Sequence, residues 1–264
     1  MPEATHLTRQ ELDITDADAV AVVDWSGFDT VINAAAYTAV DKAETAEGRV
    51  AAWRTNAVGP ANLARAAREH DLTLVHISSD YVFDGSAAGP VPEDTPLSPL
   101  SAYGASKAAG DVAAALAPKH YIVRTTWVVG EGGNFVRTML GLAGRGVSPT
   151  VIADQIGRLT FADDLACGII YLLGSGARYG TYNLTNSGEP ASWAEVARAT
   201  FELAGRDPRD VSDTTTAECF ASKPEAAARP LNSVLDPGKA RAVGVQLAPW
   251  TDSLASYVTK EISR

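Results

Sequence analysis

Leu72-Thr73-Leu74-Val75-His76-Ile77-Ser78 reads as a buried β-strand: apolar and β-branched residues dominate it, and polar, turn-forming residues bound it. Two comparable runs lie on either side in the chain, Thr30-Val31-Ile32-Asn33-Ala34-Ala35-Ala36 before it and Tyr121-Ile122-Val123-Arg124-Thr125-Thr126-Trp127-Val128-Val129 after it. Between them, 46–70 and 101–117 are alanine-rich and helical in pattern. Strand, helix, strand in alternation predicts a parallel sheet with helices on both faces and right-handed crossovers. In such a sheet ligands bind beyond the carboxyl ends of the strands. A site is therefore expected in the residues immediately after Ser78.

The later chain is less regular. Val151-Ile152-Ala153 is a short strand before Asp154, and 161–173 is a helix with Phe161-Ala162-Asp163-Asp164 at its mouth. Tyr179-Gly180-Thr181-Tyr182-Asn183-Leu184 reads as another strand. Helices at 192–205 and 250–262 come next, the first with Ser192 as N-cap and Glu195 as its capping-box partner. Between them, 206–248 is rich in Pro, Asp and Thr and weakly patterned, as expected of a looser lobe that covers a substrate.

Of 264 residues, 46% are hydrophobic and 20% charged, a globular rather than a disordered profile. No apolar run approaches the roughly 20 residues of a membrane span. The opening Met1-Pro2-Glu3-Ala4-Thr5-His6 has neither the basic nor the apolar region of a signal peptide, so a cytoplasmic address is expected. A formal charge of -10 repels phosphate backbones and argues against nucleic-acid binding. A small anion in a local basic pocket stays compatible with it. Cys167 and Cys219 have neither metal-ligand spacing nor a disulfide framework. Cys167, in an apolar helical stretch, is expected to be a small buried hydrophobe. No metal ligands are assigned.

The chemical signal is Tyr103-Gly104-Ala105-Ser106-Lys107. Four residues apart on a helix, Tyr103 and Lys107 share a face. An ammonium beside a phenol stabilises the phenolate and lowers its pKa from about 10. Such a tyrosine passes a proton near neutral pH. A pair of this kind alone is common on solvated helix faces, but its context raises its weight. Ser79 stands at the carboxyl end of the strand 72–78, 24 residues before Tyr103, far enough for a loop to bring the two together. Its hydroxyl is then able to donate to the oxygen that Tyr103 protonates.

Three runs, Ser79-Asp80-Tyr81-Val82-Phe83-Asp84-Gly85, Tyr103-Gly104-Ala105-Ser106-Lys107 and Arg124-Thr125-Thr126-Trp127-Val128, together resemble the dTDP-4-dehydrorhamnose reductases of the extended short-chain dehydrogenase/reductase superfamily. Val31-Ile32-Asn33-Ala34-Ala35-Ala36-Tyr37-Thr38-Ala39-Val40-Asp41-Lys42-Ala43-Glu44 and Asn134-Phe135-Val136-Arg137-Thr138-Met139 do so too, and the resemblance extends from Asp13-Ile14-Thr15 to Pro249-Trp250. It implies an α/β fold, a Rossmann-like doubly wound parallel sheet with a smaller C-terminal substrate lobe. Residues 1–130 plus about 150–176 would form the dinucleotide-binding domain, and 131–149 with 177–264 the lobe.

The resemblance further implies an NADP-dependent oxidoreductase. NADPH or NADH would deliver hydride to C4 of dTDP-4-dehydro-L-rhamnose, giving dTDP-L-rhamnose, a precursor of cell-surface polysaccharide. Carried over by position, Tyr103 is the general acid, Lys107 its partner and Ser79 the catalytic hydroxyl. Ser79, Asp80 and Trp127 touch the sugar nucleotide. Asp13 and Ile14 meet the adenosine end of the cofactor. Ala36, Tyr37 and Thr38 line the dinucleotide, with Tyr103 and Lys107 beside it. Asn56 lies in a helix next to that site, where a surface amide is the preferred reading. The implied partner is a nucleotide sugar, with no nucleic acid and no membrane; a homodimer and a fusion to an upstream domain both stay open.

Members of this family open with a buried strand, a glycine loop and a helix that set backbone N–H groups against the pyrophosphate. Here the first glycine is Gly27, in the turn Trp25-Ser26-Gly27-Phe28-Asp29, and Gly130-Glu131-Gly132-Gly133 comes after a different strand. The expectation is an N-terminally truncated member, lacking its first strand and glycine loop, that binds the cofactor weakly and need not be active as it stands. The runs 30–36 and 72–78 would then lose a neighbour or close directly on each other. Leu159 stands where the family usually has proline before the threonine, which puts the nearby loop geometry in question. Arg158 is read as a surface arginine or a phosphate contact, and Arg9 as facing a cofactor 2′-phosphate or solvent. Two other functions stay open: a regulatory homologue like the methionine adenosyltransferase beta subunit, and another sugar-nucleotide epimerase or dehydratase, for which Asp80 is the only added acid–base candidate.

Overall fold

The computed structural model describes residues 4–263; Met1, Pro2 and Glu3 of the opening run lie outside them. At the centre, four parallel strands, Thr30–Asn33, Thr73–Ser79, His120–Thr125 and Gly180–Asn183, lie side by side in chain order. Side chains alternate across the pleat. Leu74 and Ile122 pack with Leu63, Ala67 and Ala114 on one face, while Val75, Tyr121 and Val123 pack with Leu165, Ile169 and Tyr182 on the other. Both faces of the middle strands are thus covered, which is why their sequences run apolar without a clean alternation. The α/β class with a parallel central sheet is the one expected.

Several placements differ from those expected. The strand Thr30–Asn33 is shorter than 30–36 and is only partly buried: Ile32 is 50% exposed, and Ala34, Ala35 and Ala36 lie in an exposed loop. Among the described residues it pairs with Thr73–Ser79 alone, so it closes directly on that strand and forms the edge of the sheet. Gly180–Asn183, assigned from the sequence to the substrate lobe, is the fourth strand of the main sheet. Tyr182 draws it there by completing the apolar face of Tyr121 and Val123. Cys167 is exposed rather than buried, because the helix Ala162–Gly174 turns Leu165, Gly168, Ile169 and Leu172 inward and leaves Cys167 on its other side.

The helical stretch 46–70 is three pieces: Ala46–Trp53, a π-helical turn Arg54–Val58, and Gly59–Glu69. Pro60 has no N–H to give to the carbonyl four residues back, and a widened turn answers that loss. Beyond the sheet, Val129, Val136, Leu159, Phe161, Val196, Trp250 and Leu254 form a second apolar cluster. Leu159 is fully buried there, so its neighbourhood is packed core rather than a slack loop. Two short ladders lie in this region, separate from the main sheet: Val128–Val129 with Thr160–Phe161, and Ile156–Gly157 with Ala191–Ser192. The stretch 206–248 is more ordered than its composition suggests, with Val211, Leu235, Ala240 and Val245 buried. No helix among the described residues is long and apolar enough to cross a membrane.

Two glycines let the helix Ala102–Ala114 press onto neighbouring backbone. A Cβ on Gly104 would collide with the carbonyl oxygen of Tyr81, and one on Gly110 with that of Asn56. Alanine for glycine inside a helix ordinarily gains about 1 kcal/mol. Gly110→Ala is expected instead to lose roughly 1–3 kcal/mol through overpacking. Urea unfolding reads the difference, and a gain in stability would contradict the close contact.

Candidate active site

The strand Thr73–Ser79 passes directly into a 3-10 turn, Asp80–Val82. Ser79 caps that turn: its Oγ accepts from the Tyr81 N–H at 3.2 Å and donates to Asp80 Oδ1 at 3.0 Å. The helix Ala102–Ala114 begins at Ser101, whose Oγ accepts from the Gly104 N–H at 3.1 Å. This start places Tyr103 in the first turn. Its phenol lies beside the Ser79 hydroxyl and packs edge-on against Tyr81, with ring centroids 5.4 Å apart. One turn later the buried Lys107 donates Nζ–H to the Ile77 carbonyl at 2.6 Å. Tyr103, Lys107, Ser79 and Asp80 thus meet at the carboxyl end of one strand.

Burial governs their charges. It pushes the Tyr103 phenol up to about 12, against the pull of the nearby Ser79 hydroxyl, so the phenol is neutral near pH 7 and holds a proton to give. The expected depression of the phenol by Lys107 does not prevail. The ammonium is engaged by the Ile77 carbonyl, and burial lowers its own pKa to about 8 despite the charge of Asp111. Burial also raises Asp80 to about 6, outweighing the opposing effect of the Ser233, Ser79 and Thr126 hydroxyls beside it. Its Oδ2 closes no hydrogen bond of good geometry. Behind Lys107, Arg124 Nε donates to Asp111 Oδ2 at 2.9 Å, and burial drives the His76 imidazole well below its ordinary pKa.

On the side of the strand Thr30–Asn33, Tyr37 packs against the cluster of Tyr103, Ala43 and Ala52. Asn56 holds it by the backbone: Oδ1 accepts from the Tyr37 N–H at 2.8 Å, and Nδ2 donates to the Tyr37 carbonyl at 3.1 Å and to Ser106 Oγ at 2.9 Å. Ser106 Oγ donates in turn to the Tyr103 carbonyl at 2.7 Å. Asn56 is therefore buried, not a surface amide; it sits within the π turn and ties the loop of Ala36, Tyr37 and Thr38 to the Tyr103 helix. Ala36 and Thr38 are exposed, and Tyr37 Oη is buried without a partner. A backbone-anchored loop with small exposed residues and an unsatisfied hydroxyl suits a flat, polar-edged ligand such as a dinucleotide. Ile14 packs on Gly59 of the same helical stretch, and its carbonyl accepts from Asn62 Nδ2 at 2.9 Å. Asp13 Oδ1 accepts from the Thr15 N–H at 3.0 Å, and Oδ2 lies 3.6 Å from the exposed Arg9.

Trp127 comes directly after Thr126, whose hydroxyl lies beside Asp80. Its φ of 47° is a left-handed backbone, which costs a residue of this kind roughly 1–3 kcal/mol. Residues missed by the sequence argument complete the surroundings. Ser233 and Thr126 flank Asp80, and Arg229 pairs with Asp41 at 2.8 Å while lying over the Phe220 ring. The run Arg229-Pro230-Leu231-Asn232-Ser233, polar and stiffened by proline, was the available signal inside an otherwise weakly patterned stretch. A cleft of about 390 Å³ separates Asp41, Glu44 and Thr45 from Phe220, Lys223 and Glu225. Arg158 is not a surface arginine: it is buried, giving Nε–H to the Gly188 carbonyl at 2.7 Å and Nη1–H to that of Leu235 at 3.2 Å.

Residues 2–262 match the family described as RmlD substrate binding domain. The dTDP-4-dehydrorhamnose reductase of Aggregatibacter actinomycetemcomitans is 40% identical, over 96% of this chain and 88% of that protein. Among solved structures, a dTDP-4-dehydrorhamnose reductase from Clostridium acetobutylicum superposes with a TM-score of 0.88 at 40% identity, covering 96% of this chain and 89% of its own. The reductase of Bacillus anthracis, solved in complex with NADP, gives 0.87 at 36% identity, over 97% of this chain and 89% of that one.

The buried Asp80 makes stability depend on pH. Its folded carboxyl keeps the proton up to about 6, whereas an unfolded aspartate releases it near 3.9. Between those values the folded state binds more protons, so stability falls as pH rises through the window. Asp80→Asn removes that fall. Thermal unfolding should show the variant gaining on the wild type between about pH 4 and pH 7, by on the order of 3 kcal/mol. Parallel stability curves for the two proteins would contradict the enclosure of Asp80.

Proposed function

The chain belongs to the RmlD substrate binding domain family, and we propose from that premise that it is a dTDP-4-dehydrorhamnose reductase, converting dTDP-4-dehydro-L-rhamnose to dTDP-L-rhamnose with NADPH or NADH. The observation that carries the reading is the meeting of a neutral phenol, a serine hydroxyl and a buried ammonium at one strand end. A regulatory role supplies no reason for those three groups to converge. A dehydratase role would need Asp80 as an added acid, whereas relatives matched over nearly the whole chain are reductases.

Ala36, Tyr37 and Thr38, with Asp13 and Ile14, would hold the cofactor, which when bound supplies the hydride. As C4 of the sugar becomes tetrahedral, its oxygen gains negative charge. Tyr103, kept neutral by burial, gives that oxygen its proton. Ser79, whose one hydroxyl proton rests on Asp80 Oδ1, turns that proton to the same oxygen and stabilises the developing charge. Lys107, one helical turn away, offsets the charge left on the phenolate. Asp80 and Trp127 flank the sugar, and Asp80 accepts the Ser79 proton at 3.0 Å until the substrate oxygen takes it over. The same reading locates the chain in the cytoplasm, where nucleotide sugars are made.

With NADPH and dTDP-4-dehydro-L-rhamnose, the chain extended by the strand and glycine loop with which the family opens is expected to consume NADPH in step with dTDP-L-rhamnose formation. Tyr103→Phe should lower kcat by about 10²–10⁴-fold, the ordinary contribution of a general acid, with little change in KM. A Phe variant as fast as the wild type would remove Tyr103 from the chemistry. A protein extended in that way that consumes no NADPH would overturn the reductase reading.

A further inference from the structure

We propose that Trp193 is a positioning residue for sugar-nucleotide binding: it holds the indole of Trp127 as a fixed wall of the sugar site. The inference rests on the reading of Trp127 as a sugar contact and assigns the residue that makes that contact rigid. The two indoles lie face to face, with centroids 3.7 Å apart and planes 15° from parallel. Aromatic pairs left to themselves prefer offset or edge-to-face arrangements with centroids about 4.5–7 Å apart. So close a sandwich is held by what surrounds it.

That frame can be named. Trp193 opens the helix Trp193–Leu203, and a capping box fixes the start: Ser192 Oγ accepts from the Glu195 N–H at 3.1 Å, and the Ser192 N–H donates to Glu195 Oε2 at 2.7 Å. Phe135 packs against Trp193 with centroids 4.5 Å apart. On the Trp127 side, Gly157 lies against the ring, where a Cβ would come within 2.8 Å of the indole. The two holders are themselves in register, because Gly157 pairs with Ala191, two residues before Trp193. The same ladder reaches the site, since the Ile156 carbonyl accepts from the Ser233 N–H at 2.7 Å and Ser233 flanks Asp80.

Two further features separate this pair from ordinary core packing. Trp127 keeps a left-handed backbone that glycine adopts freely and other residues rarely do. Both tryptophans are only half-buried, so the stack retains surface for a ligand. Trp193 therefore acts through Trp127, on how tightly the sugar is held rather than on proton transfer.

The test uses the full chain labelled with fluorotryptophan, giving one resonance for each of its five tryptophans. The Trp127 line is assigned by its loss in Trp127→Phe. It is expected upfield, in the ring current of Trp193, and to move downfield in Trp193→Leu. The same variant should bind dTDP-L-rhamnose about tenfold more weakly while binding NADPH within about twofold of the wild type. Trp193→Phe, which restores an aromatic face, should recover most of the sugar-nucleotide affinity. Gly157→Ala displaces Trp127 with Trp193 intact; it should weaken the same ligand and keeps the test open if Trp193→Leu does not fold. An unmoved Trp127 line, or undiminished dTDP-L-rhamnose binding by Trp193→Leu or Gly157→Ala, overturns the inference and leaves the reductase reading standing. A wild type that consumes no NADPH and binds no dTDP-L-rhamnose overturns the reductase reading, and the assignment of Trp193 to this ligand falls with it.

Discussion

How closely the helix Ala102–Ala114 lies on the carboxyl end of the strand Thr73–Ser79 decides nearly everything at this site. The approach is possible because Gly104 and Gly110 present no side chain to the carbonyls of Tyr81 and Asn56. It is held by the Lys107 ammonium donating to the Ile77 carbonyl at 2.6 Å. A neutral carbonyl only partly replaces the hydration of an ammonium, so the lysine is drawn toward its neutral form. The same exclusion of water keeps the Tyr103 phenol protonated and makes the Asp80 carboxyl reluctant to ionise. One physical cause thus prepares a proton donor, a titratable cation and a titratable acid within a few residues of one strand end. Charge that develops on a substrate oxygen there meets groups already stripped of competing water.

The sheet and the main chemical residues were legible because their signals are local. Near-continuous apolar runs are what doubly covered parallel strands require, and the runs 72–78 and 121–129 overlap the strands Thr73–Ser79 and His120–Thr125. Tyr103 and Lys107 share a helix face by spacing alone, and Ser79 stands at a strand end by position alone. What failed was what depends on distant partners. The strand at Thr30–Asn33 has the composition of a buried strand, but its half-exposed state depends on which strands pair with it. Asn56 reads as a surface amide until Pro60 and the π turn beside it are taken together. Arg158 resembles a solvated cation until the carbonyls of Gly188 and Leu235 are seen to enclose it.

The expected effect of Lys107 on Tyr103 went wrong for a related reason. Proximity on a helix predicts an electrostatic pull, but sequence does not reveal how much water has been removed or which carbonyl takes the ammonium. The polar groups around Asp80 show the same limit, since Ser79, Thr126 and Ser233 come from widely separated parts of the chain. Trp127, Gly157 and Trp193 likewise belong to three separate segments that only the short ladders beyond the main sheet bring together.

A crystal structure of the chain with NADP and dTDP-L-rhamnose tests the central claim most directly, because it fixes the position of the one oxygen on which two side chains are said to act. The C4 hydroxyl should lie within about 2.6–3.2 Å of both Tyr103 Oη and Ser79 Oγ, with Lys107 still buried against the strand Thr73–Ser79. A bound sugar whose C4 hydroxyl points away from both oxygens, with Tyr103 turned from Ser79, would contradict the claim.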